Sequence, residues 1–150
     1  MSSLVVVLAC IVLIAVTTVT HYEALRALHG GLPALRIPSR AKVLVAVFAA
    51  LAAHALEMAV YGTALFALVR WLDVGSLAGP VGFSLTTCLY FSAETYTSLG
   101  FGDLTPVGPV RMLAGIEALN GLLLIGWSAS FLYIAMERFW SAGTDKGAAP

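Results

Sequence analysis

Residues Glu94 to Asp103 read ETYTSLGFGD and gather hydroxyls, two glycines and two carboxylates within a chain that is 60% hydrophobic. Gly100 and Gly102 alternate with Leu99 and Phe101. Glycine adopts positive φ without steric cost, so the alternation lets successive carbonyls turn to one side. Such a row is a ladder of hard, uncharged oxygen ligands. It suits a dehydrated monovalent cation, whose hydration shell the carbonyls replace. A second group of reactive types comprises His21 and Glu23 near the end of the first apolar run, with His54 and Glu57 inside the second. Ionisable residues at membrane depth are costly and mark functional or interhelical positions. These four read either as a proton- or metal-sensing cluster, since histidine titrates near physiological pH, or as polar glue between helices.

The elements that must hold these residues are set by length and hydropathy. A chain of 150 residues is one domain by length. Mean hydropathy is +0.94 and charged residues make up 11%. A helix of about 20 mostly apolar residues crosses a bilayer. Leu4 to Thr20, extended by HYEALRAL, Val43 to Val69 and Met112 to Met136 meet that requirement. Phe83 to Thr97 is apolar but too short to span. The expectation is an all-α membrane protein with three transmembrane helices and one re-entrant segment. Gly30, Gly31 and Pro33 are expected to end the first helix. Gly75, Gly79, Pro80 and Gly82 mark a loop, Ser84 the start of the short helix, and Gly108 and Pro109 the approach to the last span.

Other classes are disfavoured. Net charge is zero and there is no basic run, so nothing suggests nucleic acid. The first run has no basic n-region and no small-x-small cleavage site, so it is read as a span rather than a cleaved leader. Cys10 and Cys88 have no metal or disulfide spacing and read as small apolar residues. No span carries arginine every third residue, so none is a voltage sensor. Arg26, Arg36, Arg40 and Lys42 flank or occupy the first loop, with Arg138 and Lys146 at the C-terminal end, against Arg70 and Arg111 on the other side. The positive-inside rule then places the N-terminus outside and the C-terminus in the cytoplasm.

With its flanking helices, TSLGFGD resembles the potassium-channel filter signature T-x-G-[YF]-G-D, and the resemblance covers residues 84–137. It implies a pore helix, selectivity filter and inner helix assembled as a tetrameric pore. The implied function is potassium-selective conduction, with no enzyme activity and no cofactor beyond permeant K+. The partners are membrane lipid and three further copies of the chain, in a bacterial inner membrane. Carried over by position, the carbonyls of Ser98, Leu99, Gly100 and Phe101 become the K+ ligands, Gly102 completes the filter, and the Ser98 hydroxyl closes the innermost site. Glu94, Thr97, Asp103 and Tyr90 become its support, and the resemblance implies either that Glu94 and Asp103 meet behind the filter and share a proton or that Glu94 caps a hydrogen-bond network and never changes state. Ser98, Leu99 and Phe101 depart from the commoner threonine, valine and tyrosine.

The same resemblance puts Leu123, Gly126, Ser130 and Ile134 on the pore side of the inner helix, with Phe131 or Ile134 as a constriction. Glu117 is expected behind the filter, and Gly121 and Gly126 are hinges or close-packing sites. The divisions are residues 1–42, an extra helix and cytoplasmic loop; 43–139, the pore module; and 140–150, a short disordered cytoplasmic tail too small for a regulatory domain. Alternative readings are a weakly selective cation channel, a non-conducting channel subunit, and a metal or redox protein built on His21, Glu23, His54 and Glu57.

Overall fold

The apolar runs become helices because lipid offers no partner for backbone N–H and C=O groups, which must bond within the segment. The structure, a computed structural model, describes residues 2–144. The elements are α1 (Ser2–Ala34), α2 (Ser39–Leu72), β1 (Ser76–Ala78), α3 (Leu85–Tyr96), β2 (Thr105–Val107) and α4 (Val110–Thr144). Three helices, α1, α2 and α4, are long and apolar enough to cross a membrane. At 1.5 Å per residue each extends roughly 50 Å, so their ends project beyond a hydrocarbon core of about 30 Å.

α1 packs on α2 and α4, and the short α3 sits between α2 and α4. At one end Val6, Cys10 and Leu13 of α1 join Leu65, Leu68, Val74, Leu104, Val110 and Leu113 in a buried cluster. At the other end Leu32 meets Val43, Ala46, Ala135 and Phe139. The chain therefore runs across, back and across again, with the α1–α2 turn and the end of α4 together. Lys42 and Arg138 both lie over the Phe139 ring at that end. Because α1 shares buried side chains with the rest, it is built into the same core.

Two glycines within the helices set close approaches to α3. A Cβ on Gly62 would press on the backbone of Leu89 and Cys88, and one on Gly121 would run into the Tyr96 carbonyl. Small residues at such seams let membrane helices pack closely, and here they seat α3 against its neighbours on both sides. Gly121 is thus a packing position, whereas Gly126 opens onto free space.

Boundaries differ from expectation in three places. Gly30, Gly31 and Pro33 do not end α1, which continues to Ala34. Pro33 removes one backbone donor in the final turn, but buried Leu32 and the Lys42 ammonium, 3.0 Å from the Pro33 carbonyl, hold that turn in place. α4 runs to Thr144, into the segment expected as tail; residues 145–150 of that expectation lie outside the described residues. The chain also contains two short strands, β1 and β2, antiparallel with Leu77 opposite Pro106. They tie the loop after α2 to the segment leaving Asp103. α3 starts as expected: the Ser84 hydroxyl accepts the Thr87 N–H at 3.1 Å as an N-cap.

Gly62→Val and Gly121→Val are expected to lower stability by about 1–3 kcal/mol through overpacking, and Gly126→Ala to be close to neutral. Thermal unfolding in detergent, followed by circular dichroism, checks this ordering.

Candidate functional site

α3 ends at Thr97, and the chain then alternates in handedness. Ser98, Gly100 and Gly102 have φ of +57°, +54° and +81°, while Leu99 and Phe101 keep ordinary negative values. A side-chain-bearing residue rarely adopts the left-handed region, so Ser98 carries strain that neighbouring bonds must hold. Those bonds are present. The Ser98 N–H reaches the Thr95 carbonyl at 2.9 Å, and the Leu99 and Gly100 N–H groups reach the Glu94 carbonyl at 2.9 and 3.2 Å. The Glu94 carboxylate accepts the Phe101 N–H at 3.1 Å. Every donor from Ser98 to Phe101 is thus committed to the end of α3. Among the described residues, no donor bonds the carbonyls of Ser98 to Gly102. The Leu99 and Phe101 side chains point away from the chain's own core, 61% and 67% exposed.

Each expected supporting residue has a definite place. Tyr90 donates its hydroxyl to Asp103 at 3.3 Å, anchoring the far end of the segment. Thr97 turns its hydroxyl back onto the Ala93 carbonyl at 2.8 Å. Glu94 is engaged by the Phe101 N–H and Asp103 by the Tyr90 hydroxyl, and both carboxylates lie near Tyr90.

On α4 one face is buried by Glu117, Asn120, Leu124, Ser128 and Ala135, while Leu123, Gly126, Ser130 and Ile134 are exposed on another. Ser130 donates to the Gly126 carbonyl at 3.0 Å. Phe131 is half-buried against the Leu32–Phe139 cluster, so of the two constriction candidates only Ile134 stays on the exposed face. Glu117 is buried and accepts from Ser92 of α3, whose hydroxyl also reaches the Met58 carbonyl at 2.7 Å.

Of the four residues in the polar group, three converge. His21 Nδ1 lies 2.9 Å from one Glu57 oxygen, and His54 Nδ1 lies 3.2 Å from the other. Glu23 does not join them. It is exposed and pairs with Arg26 at 3.2 Å, because it sits two positions beyond His21, on another side of α1. Two residues complete the cluster that composition did not single out. Tyr96 donates to Glu57, and Ser128 stands 3.2 and 3.0 Å from His21 Nε2 and His54 Nε2. A separate buried contact joins all three long helices, as Asn120 donates to Thr17 at 2.8 Å and to Tyr61 at 3.2 Å. Tyr61 is therefore a packing residue, whereas Tyr22 is exposed beside the Trp127 ring. The legible signal was polar residues on the apolar α4, Asn120 and Ser128, eight apart and on one face.

The profile of a family described as ion channel matches residues 43–138, from the start of α2 nearly to the end of α4. The chain belongs to this family, as an integral membrane protein of the potassium-channel pore-loop type. An inward rectifier potassium channel, Kirbac3.1 of Paramagnetospirillum magnetotacticum, is 38% identical over 78 residues, which is 50% of this chain and 26% of that protein. The chain thus spans about a quarter of that relative's length. No solved structure matches.

Glu94→Ala leaves the Phe101 N–H without its carboxylate, a bond worth about 1.5–3 kcal/mol. Ion flux through reconstituted protein is expected to fall roughly tenfold or more, with helicity unchanged. Glu94→Gln, which keeps a carbonyl acceptor, should retain most of the flux.

Proposed function

We propose that the chain is one subunit of a homotetrameric, potassium-selective channel. The carbonyls of Ser98, Leu99, Gly100 and Phe101 line the filter, with Gly102 at its outer end and the Ser98 hydroxyl at its inner end. One observation carries this reading. The backbone alternates in hand over Ser98 to Gly102, with its N–H groups held by the end of α3 and its carbonyls uncommitted. Carbonyl dipoles arranged in this way replace the hydration shell of a monovalent cation. A single chain supplies one such strand, and four around a symmetry axis are required to enclose an ion. The family, and the potassium channel that the chain resembles over half its length, support the same reading.

The remaining parts take their roles from it. α3 is the re-entrant pore helix, and its C-terminal end at Thr97 directs a partial negative charge toward the cavity below the filter. Leu123, Gly126, Ser130 and Ile134 line that cavity, with Ile134 as the narrow point. Residues 43–139 form the pore module, and α1, with the loop to residue 42, packs against it as an extra helix. Arg36, Arg40, Lys42 and Arg138 gather at one end of the bundle and Arg70 and Arg111 near the other, which favours a cytoplasmic C-terminus and an external filter mouth. The membrane is then a bacterial inner membrane.

Liposomes holding the protein under opposed K+ and Na+ gradients are expected to reverse near the potassium equilibrium potential. Gly100→Ala, whose Cβ opposes the φ of +54°, should abolish the flux while the protein still folds. Equal passage of Na+ and K+ reduces the reading to a weakly selective cation channel. Absence of flux in correctly assembled protein identifies a non-conducting subunit.

A further inference from the structure

The cluster of His21, His54, Glu57, Tyr96 and Ser128 is closed by six contacts. Glu57 faces His21 Nδ1, His54 Nδ1 and the Tyr96 hydroxyl, the Tyr96 hydroxyl also lies 2.9 Å from His54 Nδ1, and Ser128 Oγ faces both Nε2 atoms. An ionised carboxylate only accepts, so both histidines must present Nδ1–H to Glu57. Neutral imidazole carries one N–H, which leaves both Nε2 atoms bare. Ser128 has a single hydroxyl hydrogen to share between them. With neutral histidines and an ionised glutamate, one contact therefore sets lone pair against lone pair. The network lacks one positive centre.

A cation lying between the two Nδ1 atoms and the Glu57 carboxylate resolves the conflict. Both histidines then carry their hydrogen on Nε2, and Ser128 Oγ accepts from both with its two lone pairs. This is the usual arrangement of a metal-bound histidine, whose second ring nitrogen donates to an outer partner. One donor atom from each of His21, His54 and Glu57 falls within 4.8 Å of the others. The Nδ1–oxygen separations of 2.9 and 3.2 Å fit neighbouring ligands around an ion with bonds of about 2.0–2.2 Å. Two imidazoles and a carboxylate suit a borderline divalent ion of the zinc kind. An open groove of about 400 Å³, lined by Val47, Leu51, His54, Tyr96, Thr97 and Ser128, reaches the His54 side of the cluster, while His21 and Glu57 lie buried behind it.

We propose that His21, His54 and Glu57 form a binding site for a divalent transition-metal ion, with Ser128 orienting both imidazoles and the Tyr96 hydroxyl donating to Glu57. Such an ion fastens α1 to α2, and the Tyr96–Glu57 hydrogen bond carries that hold to the last residue of α3, immediately before the filter strand. It gives the extra helix a hold on the base of that strand. Binding itself does not rest on the channel reading and is measured without any current.

The test uses the purified full chain in detergent, stripped with chelator and titrated with Zn2+, with bound metal counted by elemental analysis after gel filtration. One ion per chain is expected. Ser128→Ala should weaken binding about 10- to 100-fold, His21→Gln and His54→Ala at least as much, and Glu23→Gln not at all. Because a variant of a buried cluster can misfold, Co2+ is also bound to the unaltered protein. Intense visible ligand-field bands of a four-coordinate nitrogen–oxygen site support the proposal. A spectrum of hydrated Co2+, no retained Zn2+, or retention that survives loss of both histidines overturns it, and a network completed by a proton alone would give the first two results.

Discussion

The whole arrangement depends on holding five residues of backbone, Ser98 to Gly102, in alternating hand while leaving their carbonyls free. That conformation has no regular hydrogen-bonding pattern of its own. Irregular backbone survives at membrane depth only where protein buries it or where it lines a polar path. Here the restraint comes from one residue acting twice: the Glu94 main-chain carbonyl takes two N–H groups and its carboxylate takes a third. Tyr90 then fixes Asp103, and the β1–β2 pairing fixes Thr105 to Val107 beyond it. The strand is gripped at both ends and from one side, and its carbonyls are left uncommitted.

Gripping the strand shifts the demand onto α3, which must itself be immobile. A 12-residue helix has little intrinsic stability, and lipid supplies no hydrophobic drive to press it against its neighbours. The structure answers with close approach and polar bonds. Gly62 and Gly121 bring α2 and α4 onto the α3 backbone. Ser92 bonds Glu117 of α4 and the Met58 carbonyl of α2, and Tyr96 bonds Glu57 of α2. α1 reaches the same region through His21 and is tied to α2 and α4 through Thr17, Asn120 and Tyr61. Among the described residues, no buried side-chain polar atom lacks a hydrogen-bond partner. In a medium without water, each such bond replaces a costly unsatisfied group.

Much of this is legible in the sequence, for identifiable reasons. The three spans are given by run length and hydropathy, since the bilayer imposes a minimum apolar length. The start of α3 is given by Ser84, and the backbone reversal by Gly100 and Gly102. Local chemistry failed where tertiary contacts outweighed it. Gly30, Gly31 and Pro33 are helix breakers by propensity, yet α1 passes through them because Leu32 is buried and Lys42 bonds the Pro33 carbonyl. Sequence spacing does not reveal that the Glu94 carboxylate accepts the Phe101 N–H. Nor did it reveal that Ser98, which carries a side chain, joins the glycines at positive φ.

By itself, the sequence determined the number of membrane helices, the position of the short one and the segment where carbonyls could align. These depend on composition and on the conformational freedom of particular residues, which are local properties. Only the tertiary structure decided which polar side chains meet. His21, His54, Glu57, Tyr96 and Ser128 come from four helices and are separated by as many as 107 positions, and Glu23, two residues from His21, is left out. Helix rotation and crossing decide that selection, through small residues at the seams and the requirement that every buried polar group find a partner.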